Sequence, residues 1–226
     1  MTDLVRDSTD YGVVEREAPE VMARNLRVAS HLWSGATLFF FAAFLFAYFY
    51  LHSLDSSKTW RPKNVDPSLT LGTLVTIAIV AGAALLQLGL SDHRGDRRPA
   101  WRVKGALALL ALVVAVVLQI IEWSTLSFGP TDGPYASVFL GWTGLLALFT
   151  LGLAFWVETT LAISVRYRGR AHESLPEGHG SGDADRTEPD IDDPISLVRP
   201  ELEAVSAYAL TIAGVAVITW FILYVL

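Results

Sequence analysis

The chain has no cysteine, only five histidines and only two methionines among its 226 residues. Without cysteine it can have neither a disulfide framework nor a thiolate metal site. His31 opens the first long apolar segment, and the other histidines lie outside such segments. Haem and copper sites in helix bundles use histidines that point inward from the helices, so we expect this chain to hold no such metal.

Several catalytic motifs are also missing from the sequence. It contains no glycine-rich phosphate loop, no nucleophile elbow, no HExxH motif and no basic surface interleaved with aromatics. The formal charge is −6, but the acids concentrate in residues 1–20 and 173–193. We therefore expect a chain without a catalytic centre of its own, which packs against other subunits.

Long apolar runs dominate what remains. The chain is 52% hydrophobic, with a mean hydropathy of +0.42. A helix needs about 20 apolar residues to cross a bilayer, and lipid offers no partner for free backbone groups. The sequence therefore predicts an all-α, polytopic membrane protein with five transmembrane helices. They are Ala29–Leu51, Leu69–Leu90, Val103–Trp123, Tyr135–Val165 and Ala204–Leu226.

The basic residues predict the orientation of these helices. Of the 17 Lys and Arg residues, 14 lie in the N-terminal segment, around the second loop or around the fourth loop. The opposite side has only Lys58, Arg61 and Lys63. We expect the N-terminus inside the cell and the C-terminus outside.

This orientation divides the chain into four segments. Residues 1–28 form a cytoplasmic N-terminal segment, 29–165 contain transmembrane helices 1–4, 166–203 form an acidic cytoplasmic loop, and 204–226 form helix 5. The loop is rich in Gly, Pro, Ser and Asp, so it cannot bury much apolar area. His172 and His179 fit no compact metal motif, and a solvated linker is the expected role of this loop.

Two carboxylates fall within the predicted membrane segments. Glu122 ends the third helix, and Glu158 lies on the fourth, about two turns before Arg166. An acid inside a membrane is costly and suggests a function. For Glu122 we weigh a structural or proton-linked role against an interfacial carboxylate that reaches water. For Glu158 we favour an interhelical or intersubunit hydrogen bond over proton transport.

The residues around Glu122 resemble a known family. The stretch LQIIEW ending at Trp123, DGPYASVF ending at Phe139, and the pair Thr143 and Gly144 are similar to subunit III of the haem–copper cytochrome c oxidases. The aromatic first helix is similar to that of the five-helix bacterial form, and Trp60 with Pro62 matches a Trp-Pro loop. The matching positions in the signature are Gln119, Glu122, Trp123, Tyr135, Ser137, Phe139, Thr143 and Gly144.

The chain departs from the family at its other polar positions. A first-helix Glu is replaced by Thr37, and two histidines of the fourth helix fall within the apolar run 145–149. In the last helix, Glu203 and Tyr208 align with the family motif, but its His and Asp correspond to Leu210 and Ala213. Glu158 matches no family position.

The resemblance implies a non-catalytic core subunit of a respiratory oxidase in the bacterial inner membrane. It implies subunit I as main contact and subunit II as a further partner, and it leaves assembly into a supercomplex open. Haem and copper would belong to those partners, and this chain would bind phospholipid in a cleft between helices 1–2 and helices 3–5. The implied task is to stabilise the complex during aerobic electron transport.

Two other functions compete with this one. The first is an accessory subunit of a nitric oxide reductase, which the sequence separates poorly from an oxidase subunit. The second is a small proton-linked membrane transporter that uses Glu122 and Glu158. A transporter is expected to show inverted repeats or broken helices, and five spans without internal duplication do not fit that pattern.

Overall fold

The computed structural model describes residues 19–54, 60–61, 66–95, 97–166 and 195–226. These residues form five long α-helices. They are α1 Pro19–Ser53, α2 Leu69–Arg94, α3 Arg98–Thr125, α4 Pro134–Arg166 and α5 Ile195–Trp220, which continues into a π-helical turn, Phe221–Val225. Each helix is long and apolar enough to cross a membrane, and the described residues include no strand. The predicted all-α fold with five transmembrane helices is confirmed.

Two helices are longer than hydropathy predicts. Helix α1 begins at Pro19 rather than Ala29, and α5 begins at Ile195 rather than Ala204. The last part of the predicted loop 166–203 is therefore helical. Hydropathy misses these turns because they carry charged side chains that bind one another, as Arg27 and Glu203 do at 3.1 Å. The remainder of that loop, with His172 and His179, and most of segment 1–28 lie outside the described residues.

Helices α2, α3, α4 and α5 form a closed ring in which each packs on the next, and α5 also packs on α2. Helix α1 lies outside this ring, against α5 and α4. Its buried face carries Ser30, Thr37, Phe41 and Tyr48. The expected division into helices 1–2 and helices 3–5 is therefore wrong for the described chain, because α2 packs along α3 and α5 rather than along α1.

Small residues explain why α2 prefers α3. A Cβ built on Gly82 would lie 3.1 Å from the Leu112 side chain, and one on Gly89 would lie 3.5 Å from the Trp101 ring. Such glycines let two helices approach closely, which is the main source of packing energy in a membrane. Ala81, another small residue of α2, faces outward instead.

The bundle has two chemically different ends. At the turn end, where α3 passes into α4, the boundary is lined by aromatics. At the opposite end, here named the arginine end, Glu203 lies 3.1 Å from Arg27, 3.1 Å from Arg94 and 3.6 Å from Arg199. Asp92 lies there as well, 2.8 Å from Arg97 and 2.5 Å from Lys104.

Candidate functional site

Glu122 is completely buried at the turn end of the bundle. The Tyr224 hydroxyl lies 2.8 Å from both of its carboxyl oxygens, and the Gln119 amide donates to one of them at 2.8 Å. Gln119 is on α3, one turn before Glu122, whereas Tyr224 comes from the π-helical turn after α5. Glu122 thus connects the third helix to the last turn of the fold, and neither of its side-chain donors is a cation.

The turn between α3 and α4 is held by its own polar groups. Thr125 donates to the Glu122 carbonyl at 2.9 Å where α3 ends. Asp132 accepts from the Gly129 backbone N–H at 2.6 Å, and Gly133 has a φ of 133°, a conformation that a side chain disfavours. Ser137 donates to the Pro130 carbonyl at 2.5 Å. These bonds fix the direction in which α4 leaves the turn.

Tyr135, in the first turn of α4, binds two distant parts of the chain. Its hydroxyl donates to the Leu223 carbonyl at 2.5 Å, so it supplies a donor to a carbonyl of the terminal turn. Its backbone N–H donates to the Trp60 carbonyl at 3.3 Å. The Arg61 guanidinium lies 4.7 Å from the centre of the Tyr135 ring, in a cation–π contact. Tyr135 therefore connects α4 to both the α1–α2 loop and the end of the chain.

Phe139 fills the space between the two tyrosines. Its ring centre lies 6.1 Å from that of Tyr135 and 5.7 Å from that of Tyr224. A Cβ on Gly72 of α2 would clash with the Tyr224 ring, so only glycine allows the ring to lie there. The aromatic packing and the Glu122 hydrogen bonds thus depend on the same placement of Tyr224.

Beside Glu122, another hydrogen bond joins α3 to α4. The Trp123 indole N–H donates to the Thr143 hydroxyl at 3.1 Å, and Thr143 donates to the Phe139 carbonyl at 2.8 Å. Gly144 makes no comparable contact, since a Cβ there would meet nothing within 4 Å. Apart from Ser137, which bonds to the backbone of the turn, and Gly144, the signature positions therefore form one network at the turn end. We name Gln119, Glu122, Trp123, Tyr135, Phe139, Thr143 and Tyr224 the Glu122 cluster.

Glu158 does not belong to this cluster. It lies 15 residues beyond Thr143 along α4, about 22 Å at the helical rise. Its side chain is exposed on the outer surface, and no described residue forms a hydrogen bond or ion pair with it. The structure thus separates the two acids that a proton-linked transporter would use together, and no interhelical bond to Glu158 exists within the described chain.

The positions where the chain departs from the expected family pattern are only sparsely polar. Thr37 lies 3.3 Å from the Tyr208 hydroxyl, the two facing each other between α1 and α5. His31 is exposed and lies 2.7 Å from the Arg27 carbonyl. Among the described residues no three His, Cys, Asp or Glu side chains group in a way that could hold a metal ion.

Sequence reasoning missed three residues that the structure makes central. Tyr224 was not singled out because a tyrosine near the end of an apolar helix is unremarkable without knowledge of what it faces. Glu201 lies next to Thr160, but it falls outside the predicted membrane segment. Asp92 lies just beyond the predicted second span, Leu69–Leu90, and it is buried between Arg97 and Lys104.

Comparison with known proteins gives two findings. Residues 1–178 match the family model described as cytochrome c oxidase subunit III. A curated relative, cytochrome c oxidase subunit 3 of Wickerhamomyces canadensis, is 26% identical over 169 residues, which cover 69% of this chain and 62% of the relative. The chain thus spans less than two thirds of that relative's length. Helix α5 lies beyond the range of the family match.

Proposed function

Since the chain belongs to the cytochrome c oxidase subunit III family, we propose that it is a non-catalytic core subunit of a respiratory haem–copper oxidase. It packs on subunit I, stabilises the complex during aerobic electron transport and is a multi-pass protein of the bacterial inner membrane. Haem and copper belong to the partner subunits. Subunit II is a further neighbour.

One observation carries this proposal. The hydrogen bonds of Glu122 come from Gln119 and Tyr224 within the same chain, and the acid is not exposed. A proton carrier needs a chain of exchangeable groups leading to and from it. Glu122 instead holds α3 against the terminal turn, which is the expected role of an acid in a scaffold.

The test is to purify the oxidase through a tag on this chain, with Glu122→Ala compared against wild type. We expect less haem-bearing subunit per tagged chain, measured from the haem spectrum, while turnover per intact complex is unchanged. Val117→Ala serves as a control because this valine is exposed on α3, the helix that carries Glu122. Normal assembly combined with abolished turnover would argue for direct proton chemistry at Glu122.

The orientation proposed from the sequence, with the N-terminus inside, is supported by the grouping of charge. Lys and Arg residues of α1, α2, α3 and α5 lie at the arginine end. Among the described Lys and Arg residues, Arg61 alone lies at the turn end. Cytoplasmic loops carry an excess of Lys and Arg, so the arginine end is assigned to the cytoplasmic face.

Phospholipid binding forms the second part of the proposal. Helices α1 and α2 both pack on α5 without packing along each other, so α5 is open between them. The floor of this opening is apolar and includes the exposed side chains of Leu210 and Val217. A groove of about 450 Å³ runs along it, lined by Thr73, Thr76, Ile77, Val80, Ala81, Ala84, Val217 and Trp220. Such a surface suits an acyl chain.

The arginine end lies at one end of this opening and carries excess positive charge. Arg27, Arg94 and Arg199 share the single carboxylate of Glu203, and their side chains are 68%, 54% and 62% exposed. A guanidinium has five N–H donors, most of which remain after one bond to Glu203. Arginine binds phosphate in a forked geometry. We therefore assign these three arginines to the phosphate of an anionic phospholipid.

Lipid analysis of the purified complex tests this assignment. We expect Arg94→Gln to lower the anionic phospholipid retained per complex, and Arg61→Gln at the turn end to leave it unchanged. If both variants retain the same amount of anionic phospholipid per complex, these arginines do not hold the headgroup.

A further inference from the structure

Glu158 is an exposed carboxylate on an otherwise apolar surface. It lies at the rim of a groove of about 510 Å³ between α3 and α4. The other residues lining this groove are Leu109, Val113, Leu148, Leu151, Gly152, Ala154 and Phe155. No described residue pairs with Glu158, so any partner for its carboxylate must come from outside the described chain.

The depth of Glu158 makes water an inadequate partner. Ser164, further along α4, accepts hydrogen bonds from the Trp101 indole and the Arg102 guanidinium, both at 3.1 Å. Tryptophan and arginine in such positions mark the membrane–water interface. Glu158 lies six residues deeper, about 9 Å along the helix. Its side chain is too short to span that distance, and a lone charge there is costly.

The groove also has the shape that a helix requires. Gly152 lies in its wall, and a Cβ there would meet nothing within 4 Å. Small residues of this kind allow a neighbouring helix to approach closely, and side-chain hydrogen bonds between helices add specificity. An acyl chain would fill the apolar part of the groove but would bring no hydrogen-bond donor to Glu158.

We propose that the α3–α4 groove binds a membrane-spanning helix of a partner subunit that presents a hydrogen-bond donor, such as Lys, Arg, Asn, Gln or Trp, to Glu158. This inference rests on the proposed function, since it names the face through which the subunit docks. The opening between α1 and α2 is a separate face of the bundle. The chain therefore meets protein on one side and lipid on another.

Photo-crosslinking in the purified oxidase complex tests which molecule occupies the groove. A photoreactive amino acid replaces Leu151 in the groove, with Val80 on α2 as the matched exposed control; the two side chains are 53% and 38% exposed. We expect position 151 to crosslink to a transmembrane peptide of a haem-bearing complex, with a donor side chain near the crosslink. Position 80 should give no such peptide. Crosslinks from position 151 to lipid alone would overturn the inference.

Substitution of Glu158 tests the hydrogen bond itself. The oxidase complex is exposed to increasing detergent, and the amount of this subunit that stays bound is measured. We expect Glu158→Leu to lower that amount about fivefold, which corresponds to the loss of one interhelical hydrogen bond in a membrane. Glu158→Gln, which keeps an acceptor, should retain more subunit than Glu158→Leu. Wild-type retention of the Leu variant would contradict the inference. If even the wild-type chain purifies without haem-bearing subunits, the proposed function fails as well.

Discussion

Replacing Tyr224 with phenylalanine removes a hydroxyl and leaves the ring in place. That hydroxyl lies 2.8 Å from both oxygens of Glu122, which is 0% exposed, so water cannot easily take its position. Gln119 would remain as a donor to one oxygen. Leaving a buried carboxyl short of a donor costs about 1–3 kcal/mol. We expect Tyr224→Phe to lower the free energy of unfolding by about 2 kcal/mol, within that range.

The measurement is unfolding of the full-length chain in lipid–detergent micelles, followed by tryptophan fluorescence. Tyr50→Phe is the matched control, since it makes the same chemical change at a tyrosine that is 51% exposed on α1. We expect that control to change the free energy of unfolding by less than about 0.5 kcal/mol, as is usual for surface substitutions.

A double-mutant cycle isolates the contact from other effects of the substitution. When Glu122 is already leucine, Tyr224→Phe should cost little, which gives a coupling of about 1–2 kcal/mol between the two positions. If Tyr224→Phe is as mild as Tyr50→Phe, or if the two effects simply add, the Glu122 cluster does not stabilise the fold in the way described here.

Three further predictions concern other parts of the structure. Gly72→Ala should destabilise the fold by about 1–3 kcal/mol through overpacking, because its Cβ would displace the Tyr224 ring. Gly214→Ala should not destabilise the fold, since a Cβ at position 214 meets nothing within 4 Å. Equal effects of the two substitutions on the free energy of unfolding would contradict the packing argument. Trp123→Phe should cost about 0.5–1.5 kcal/mol by losing its bond to Thr143, and Thr143→Val should add little to it; full additivity in the same assay would show that the bond contributes nothing. Because the chain has no cysteine, single cysteines at Met22 and Leu54 can report topology: with the proposed orientation a membrane-impermeant maleimide added to intact cells labels position 54 and not position 22, and the reverse pattern would refute it.

The number of helices and their apolar, membrane-spanning parts could be predicted, because hydropathy measures how favourably each residue leaves water; the charged first turns of α1 and α5 could not. The arrangement of the helices could not be predicted either, since in a membrane both faces of a helix are apolar and no periodic pattern marks the buried one. Helix α1 illustrates this: Phe41 is buried while Phe39 and Phe40 are exposed, though the three are chemically identical neighbours. For the same reason the sequence could not show that α2 packs on α3 rather than on α1.

The sequence identified only some of the residues of the candidate site. The resemblance indicated Gln119, Glu122 and Tyr135, which lie close together in the chain and meet at one turn. Tyr224 is 102 residues away from Glu122, and nothing in its neighbourhood marks it as a partner. Glu158 was expected to bond within the chain or with a neighbouring subunit, and its outward direction depends on the rotation of α4, which composition does not determine.

The separation of 102 residues between Glu122 and Tyr224 also determines when their contact can form during synthesis. Synthesis proceeds at about 5–20 residues per second, so Tyr224 leaves the ribosome roughly 5–20 s after Glu122. During that interval α3 and α4 can already be in the membrane while the acid has only Gln119 as a donor. The bundle can therefore reach its final packing at the turn end only when α5 has been inserted. A newly made chain whose last helix fails to insert keeps a buried acid with only the Gln119 donor.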